Sequence, residues 1–319
     1  MLLALRCAGL CGTDLYKIHH ATVLPGTVLG HEVVGTVAAL GAGVAGFVPG
    51  DRVVVPHHVA CGECALCRRG SETLCPVFRE SLLTPGGFSD HVLVGERAVR
   101  RAAFGLRDHI ADEAAVFLEP AACVLRGIRH ARLAEAAAAT AVVLGGGSMG
   151  LLHLLVLKVL FPALRVAVSE PLEDRRELAL RLGADAAVPP AGARAAVEEL
   201  SGGLGADVAF DTVGGAELLE SALGLTREGG TVVLFAHAPG SGPSSERAGF
   251  DLNAFFKSER KLIATYSSAL AEQREVYRLL STRRLDPSPL VTHRLPLSRL
   301  GEAIELANGR QALKVLLVP

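Results

Sequence analysis

The 319-residue chain has no tryptophan, and its aromatic residues together make up only 4% of the sequence. A surface that stacks nucleic-acid bases needs aromatic faces, so this scarcity argues against that class of protein. Charge of one sign is lacking as well. Lys and Arg number 32 against 33 Asp and Glu, a formal net charge of −1, which leaves no excess to hold a nucleic acid or an anionic membrane. Long apolar runs are also missing. The longest, Leu151 to Phe161, is interrupted by His153 and Lys158 and falls well short of the roughly 20 residues that span a bilayer. The apolar start of the chain carries Arg6 in its middle and leads straight into Cys11. It reads as a β-strand and not as a signal peptide. No internal repeat is evident.

What is present describes a packed, globular chain. Half of it is hydrophobic and a fifth is charged, outside the range of disordered segments. The length allows two domains with substantial cores. Four of the seven cysteines are clustered, which points to reduced, metal-binding thiols of a cytoplasmic protein and not to a disulfide framework.

Residues 1–100 read as short strands broken by Gly and Pro. Val33–Val37 and Arg52–Val55 are β-branched runs separated by a turn at Pro49-Gly50-Asp51, and Gly86-Gly87-Phe88 opens a further strand through Val94. The pattern predicts a small, mostly antiparallel, barrel-like domain. Glu113–Arg132 reads as one helix, with Pro120 near its start or at a kink. Ala134–Ala139 is alanine-rich and uninformative. From Thr140 onward, strands (141–144, 165–169, 186–188, 208–211, 231–235, 262–265) alternate with helices such as Glu173–Leu182 and Glu217–Leu225. Six short apolar strands in this alternation predict a doubly wound parallel sheet that binds a dinucleotide. Pro239–Gly249 reads as a mobile surface loop. Beyond Tyr266 the pattern predicts a helix at Ala271–Leu280, a strand at Val291–Leu295, a helix at Ser298–Ala307 capped by Ser298 and a last strand at Leu313–Val318. This tail is expected to rejoin the first domain.

Three motifs carry chemistry. Cys11, His31 and Glu32 offer a thiolate, an imidazole and a carboxylate, a mixed set that suits a zinc with one replaceable position. Cys61-x2-Cys64-x2-Cys67-x7-Cys75 places four thiols on one short loop, enough for a closed tetrahedral zinc that shapes the fold without taking part in the reaction; an iron–sulfur cluster is the lesser alternative. Val142-Val-Leu-Gly145-Gly-Gly147-Ser148-Met149-Gly150 fits G-x-G-x-x-G between a strand and a helix. Amides at the helix start, Ser148 and Met149 among them, would face a pyrophosphate. Glu170, at the end of the next strand, is placed to bind the adenosine ribose. It favours NAD over NADP, although Arg175 and Arg176 follow closely and could accept a phosphate.

An open zinc beside a dinucleotide suggests hydride transfer from an alcohol carbon. With Cys-Gly-Thr-Asp at 11–14, Gly-His-Glu at 30–32, the cysteine cluster, Glu119-Pro120, the glycine loop and Leu313-Lys314-Val315, the chain resembles the zinc-dependent medium-chain alcohol dehydrogenase family. It looks most like the polyol and threonine dehydrogenase branch, and the likeness covers essentially the whole chain. The resemblance implies a GroES-like catalytic domain at 1–122, a Rossmann domain at 123–266 and a return to the catalytic domain at 267–319. It implies that Cys11, His31, Glu32 and Glu119 surround the catalytic zinc, that Asp14 orients the zinc-binding imidazole and that Thr13 passes the substrate proton outward. Lys314 is expected near the coenzyme pyrophosphate. The implied substrate is a secondary alcohol of a polyol, sugar or amino alcohol, and the implied assembly a homodimer or homotetramer. Tyr16 stands where many relatives carry a proton-relaying His, so it is given no role. His57 and His58 read as surface residues, Cys7 and Cys123 as core. The family also has a strand-rich segment ahead of the first strand, so a chain extended at its N-terminus is expected to be the more soluble. A zinc-free reductase of the same superfamily, a noncatalytic NAD sensor and a zinc-ribbon nucleic-acid binder are the alternatives.

Overall fold

A computed structural model describes residues 1–133, 139–237, 249 and 251–319. Most of the alanine-rich stretch and of the Pro239–Gly249 segment therefore lies outside the described residues. The chain divides into two compact units, Met1–Ala122 with Ser267–Pro319, and Cys123–Tyr266.

The first unit opens with strands β1 (Leu2–Gly9), β2 (Glu32–Ala39), β3 (Arg52–Pro56), β4 (Leu83–Thr84), β5 (His91–Val94) and β6 (Phe104–Gly105). The second holds β7 (Thr140–Leu144), β8 (Arg165–Ser169), β9 (Ala186–Val188), β10 (Ala206–Asp211), β11 (Thr226–Leu234) and β12 (Lys261–Ala264), and the chain then returns to the first as β13 (Val291–Pro296) and β14 (Lys314–Val318).

In the first unit β13-β14-β1-β2-β3-β6 form one path of an eight-stranded sheet, with β5 joining β1 and β4. Every pair except β13–β14 is antiparallel. This is the mostly antiparallel, barrel-like sheet expected from the short β-branched runs, and it agrees with the GroES-like domain that the family resemblance implies. β5 alternates exposed His91 and Leu93 with buried Val92 and Val94, the signature of a sheet with one wet face. Leu3, Leu5, Val33, Val37, Val53 and Val55 build the core beneath it.

The second unit is a six-stranded parallel sheet in the order β12-β11-β10-β7-β8-β9. This is the doubly wound arrangement of dinucleotide-binding proteins, in which strand order reverses beside the first strand. β7 is buried along its whole length, as a parallel strand covered on both faces must be.

Three local expectations are corrected. The helix expected over Glu113–Arg132 is two helices, Asp112–Ala115 and Leu118–Ala131. Pro120 has no N–H to give the carbonyl of Val116, so the first helix stops there and the second restarts with Pro120 in its first turn. Ser298 does not cap the helix that follows. It sits inside a 3-10 turn, Leu297–Arg299, and Arg299 holds the cap position of Leu300–Asn308. The strand expected from Gly86 begins only at His91. Before it, Gly87 and Phe88 donate their N–H groups to Gly30 and Leu29 and so brace the segment that precedes His31.

Gly150 has no room for a side chain, because a Cβ would overlap the Gly145 carbonyl. Gly150→Ala is expected to destabilise the second unit by about 1–3 kcal/mol, read as a lower melting temperature; an unchanged melt would show that this helix and strand do not pack so tightly.

Candidate metal centre and coenzyme loop

An antiparallel sheet brings the end of one strand beside the start of the next. Gly9 pairs with Glu32 and Glu32 with Pro56, so the end of β1, the start of β2 and the end of β3 share one edge. Cys11 follows β1 closely, His31 immediately precedes β2, and Lys314 opens β14, which pairs with β1. The sulfur of Cys11, a ring nitrogen of His31 and a carboxylate oxygen of Glu32 lie within 4.8 Å of one another.

Asp14 fixes this geometry. Cys11 caps the helix Gly12–His19, and its N–H donates to Asp14 Oδ2 at 3.1 Å. Asp14 Oδ1 takes bonds from Gly30 N at 3.4 Å and from His31 Nδ1 at 3.2 Å. Accepting from Nδ1 leaves Nε2 of His31 free as a ligand. The carboxylate is fully buried. Burial works to raise its pKa, but the charge and hydrogen bond of His31 and the N–H groups of Cys11 and Gly30 outweigh it and hold it below the usual range. Burial likewise opposes a charged His31, while the Cys11 thiolate and Asp14 raise its pKa well above the ordinary value. A divalent cation between these groups would take the place of that proton.

Glu32 has a second partner. Lys314 Nζ reaches its two oxygens at 2.8 and 2.7 Å and the Leu10 carbonyl at 3.3 Å, with the Phe117 ring centroid 5.4 Å away. Both side chains are buried. Burial disfavours the ammonium, but Glu32 and then Cys11 raise its pKa. Lys314 is therefore no solvated strand residue. Glu119 stands two residues beyond Phe117, half-buried in the first turn of its helix; it is not one of the three groups clustered within 4.8 Å. Thr13 is half-buried in the first turn after Cys11.

Two residues of this site were not legible in sequence. A Cβ on Gly9 would overlap Glu32 Oε2, so only glycine leaves room for the carboxylate; a lone Gly before Leu10-Cys11 carries no signal of that. His57, read as surface, has its ring centroid 4.6 Å from that of His31. Burial first, then the neighbouring His31 and His58, lower its pKa well below the usual value. The tandem His57-His58 at the end of β3 was the available clue.

The four-cysteine loop forms a separate group. Sulfur–sulfur distances are 3.9 Å for Cys61–Cys67, 3.5 Å for Cys64–Cys67 and 3.6 Å for Cys61–Cys75. Zinc–sulfur bonds of about 2.3 Å give tetrahedral edges of roughly 3.8 Å, so the donor set fits zinc. N–H groups of Glu63 and Cys64 point at Cys61 Sγ and bring its pKa down to about 6. Arg101 donates to the Cys61 carbonyl and ties the loop to the helix Glu96–Ala102. All seven cysteines are free of disulfides.

In the second unit Gly145, with φ +97°, turns the chain after β7, and Gly147 precedes the helix Ser148–Leu160. A Cβ on Gly147 would meet only the Arg175 guanidinium, at 3.8 Å, so the loop is open where a ligand's backbone-bound phosphate belongs. Ser148 Oγ is buried without a partner, an orphan at a helix N-terminus that a phosphate oxygen would satisfy. Met149 accepts His153 Nδ1 at 2.8 Å through its carbonyl. Glu170 accepts from Gly146 N at 2.6 Å and Leu172 N at 2.9 Å and is buried; it is not a solvated strand end. Arg176 spends its guanidinium on the carbonyls of Glu170 and Pro171. These residues fit a dinucleotide.

Residues 1–103 match the family described as "Alcohol dehydrogenase GroES-like domain" and residues 148–282 that described as "Zinc-binding dehydrogenase". The chain is similar to 2-dehydro-3-deoxy-L-galactonate 5-dehydrogenase of Pseudoalteromonas atlantica, 31% identical over 97% of this chain and 88% of that one. It is also similar to L-threonine 3-dehydrogenase of Pyrococcus furiosus, 29% identical over 99% and 90%. A solved zinc-binding dehydrogenase of Sinorhizobium meliloti 1021, bound to NADP, superposes with a TM-score of 0.86 at 27% identity, covering 100% of this chain and 92% of that one. The chain belongs to the zinc-dependent medium-chain alcohol dehydrogenase family. It is an oxidoreductase, and neither a nucleic-acid binder nor a bare NAD sensor fits that membership. Among the described residues no helix is long and apolar enough to cross a membrane.

The lowered pKa of Asp14 has a defined pH consequence. A carboxylate more acidic when folded stabilises the fold above its unfolded pKa of about 3.9 and loses that contribution as pH falls through the folded value. In zinc-depleted protein, Asp14→Asn should be less stable than wild type at pH 7, with the gap closing as pH falls below the unfolded pKa and through the lower folded one. A gap that stays constant across that range in denaturant titrations would contradict the assignment.

Proposed function

We propose that the protein oxidises a secondary alcohol of a polyol, sugar or amino alcohol with a nicotinamide coenzyme. The observation that carries this reading is the mixed cluster of Cys11, His31 and Glu32 in a chain that also holds a closed four-cysteine group and a dinucleotide loop. Cys11 and His31 hold the catalytic zinc, with Glu32 and Glu119 as the carboxylates available to it. The zinc supplies Lewis acidity toward the substrate oxygen. Cys61, Cys64, Cys67 and Cys75 hold the structural zinc.

Asp14 keeps His31 in the ligand tautomer. Lys314 bonds both oxygens of Glu32 and so sets where that carboxylate stands beside Cys11 and His31. The pyrophosphate contact that the family likeness gives Lys314 requires its ammonium to leave Glu32. Thr13 takes the substrate hydroxyl proton and passes it outward. Residues 1–122 and 267–319 serve as the catalytic domain and 123–266 as the coenzyme domain.

Gly145, Gly147, Ser148, Met149 and Gly150 bind the coenzyme phosphates. Glu170 accepts from the adenosine ribose, and its negative charge disfavours a 2′-phosphate, so we read NAD as preferred over NADP. Arg175, beside Gly147, is the residue that tolerates NADP. A homodimer or homotetramer is supported by the edge position of β12 and by Leu252 and Phe256 just before it, 75% and 80% exposed. Seven free thiols support a cytoplasmic setting.

The test is coenzyme reduction over polyols, sugar alcohols, threonine and simple secondary alcohols, with NAD and NADP in parallel, on protein whose zinc is measured. About two zinc per chain are expected. Cys11→Ser should abolish turnover and retain one zinc. Full activity in that variant would remove Cys11 from the site, and no turnover of any alcohol would remove the reading.

A further inference from the structure

One imidazole is sealed inside the second unit. His153, in the helix Ser148–Leu160, is fully buried. Its ring lies 5.0 Å from that of Phe210, on β10, and 4.5 Å from that of Phe235, which follows β11. Nδ1 is 2.8 Å from the Met149 carbonyl, in the first turn of the same helix. A carbonyl only accepts, so Nδ1 carries the ring proton and Nε2 is a bare acceptor. That Nε2 is buried with no hydrogen-bond partner.

The charged groups on the surrounding elements are committed elsewhere. Asp211, at the end of β10, accepts from Val213 and Gly214 N. Asp207, on the same strand, binds Arg227 of β11 and Thr140 N. Lys158, further along the helix, binds Asp185, Glu228 of β11 is exposed, and β7 carries no titratable residue. Among the described residues none of these acts on the ring. Burial pushes the His153 imidazole down to about 4, opposed only by the Met149 carbonyl. A proton on Nε2 would place a cation among phenyl rings with no acceptor, the costly case of an unpaired buried charge. The ring can take up that proton at low cost only by reaching water.

We propose that His153 is an acid latch: its protonation releases the helix Ser148–Leu160 from the sheet, so the empty coenzyme loop opens in mild acid. The direction follows from linkage. A histidine held neutral in the closed fold contributes fully above its open-chain pKa of 6.5. That contribution is lost as pH falls from there toward about 4, because only the open form takes up the proton. Local opening of one helix is enough to expose the ring. The helix begins with Ser148 and Met149, so what acid loosens is the scaffold of the glycine loop. That this loop holds a coenzyme rests on the reading above; acid release of the helix does not.

The test is hydrogen exchange of peptides covering residues 148–160, read by mass spectrometry in the full-length, zinc-loaded, coenzyme-free protein. It is run at pH 7 and pH 5 and corrected for the intrinsic pH dependence of exchange. Between the two values the open fraction should rise about twentyfold in wild type. It should rise by less than about threefold in His153→Leu and His153→Gln, neither of which titrates. One variant is apolar and the other polar; poor packing of either shows as faster exchange at both pH values and leaves the ratio readable. Asp211, whose buried carboxyl is raised above its usual value, titrates alike in all three proteins. Peptides from β1 and β2 should give one ratio throughout. A twentyfold rise kept by both variants, or no rise in wild type, would overturn the latch. NADH binding at pH 7 tests the coenzyme reading separately: its absence would overturn that reading and leave the latch standing.

Discussion

A buried ion pair, Glu32 with Lys314, is the constraint on which the first unit depends. The ammonium sits 2.7 and 2.8 Å from the two carboxylate oxygens, and the side chains are 0% and 3% exposed. Either charge alone in that place would be strongly unfavourable, costing about 3–5 kcal/mol on removal of its partner. The pair therefore ties the start of β14 to the start of β2 across the end of β1, although Glu32 and Lys314 are 282 positions apart, and so fixes how the chain must return after the parallel-sheet unit. It also explains Gly9, because the carboxylate occupies the space a side chain would need. Cys11 begins two residues later, so the same packing sets where its sulfur stands.

The two sulfur-bearing groups differ in a way that follows from their donors. Four thiols on one loop, tied by Arg101 to a neighbouring helix, satisfy a tetrahedral ion completely and leave nothing for a substrate. The other group draws its members from the end of β1 and the start of β2 and mixes ligand types. Lys314 offsets the charge of Glu32 beside the Cys11 thiolate and Asp14, so the carboxylates and the thiolate do not face one another uncompensated. A hydroxyl bound there can ionise only by giving up its proton, which gives Thr13 its importance in the proposed reaction.

Much of this was legible in the chain. Parallel strands are continuous apolar runs with Gly-rich turns after them, so all six strands of the second unit were found, β8 and β9 from end to end, although β11 starts five residues earlier than expected, at Thr226. The cysteine spacing and the Cys11, His31 and Glu32 set are local patterns and could be read as such. What escaped was set by packing across long separations. Nothing near Lys314 indicates that it faces Glu32, and nothing near Gly9 indicates that a carboxylate fills its missing side chain. His57 looked like surface because one strand end in an antiparallel sheet is not distinguishable from another until the register is known. Ser298 was a reasonable cap by type, but the turn after Pro296 moved the helix start past it.

The two units place their chemistry at strand ends for different reasons. In the parallel sheet all strands point one way, so the turns after β7 and β8 lie on the same side and bring Gly145–Gly150 beside Glu170, where Gly146 N already donates to that carboxylate. β10 ends on that side too, and Asp211 there turns the chain by accepting from Val213 and Gly214 N. In the antiparallel sheet the shared edge alternates strand ends with strand starts, so its residues come from separated stretches of sequence: 9–11, 31–32, 56–57 and 314. A parallel sheet can therefore announce its site in one motif, while an antiparallel one assembles its site from single residues. The coenzyme loop of this protein is a contiguous motif and its metal centre a collection for that reason, and the residues that choose the substrate are expected among the single ones.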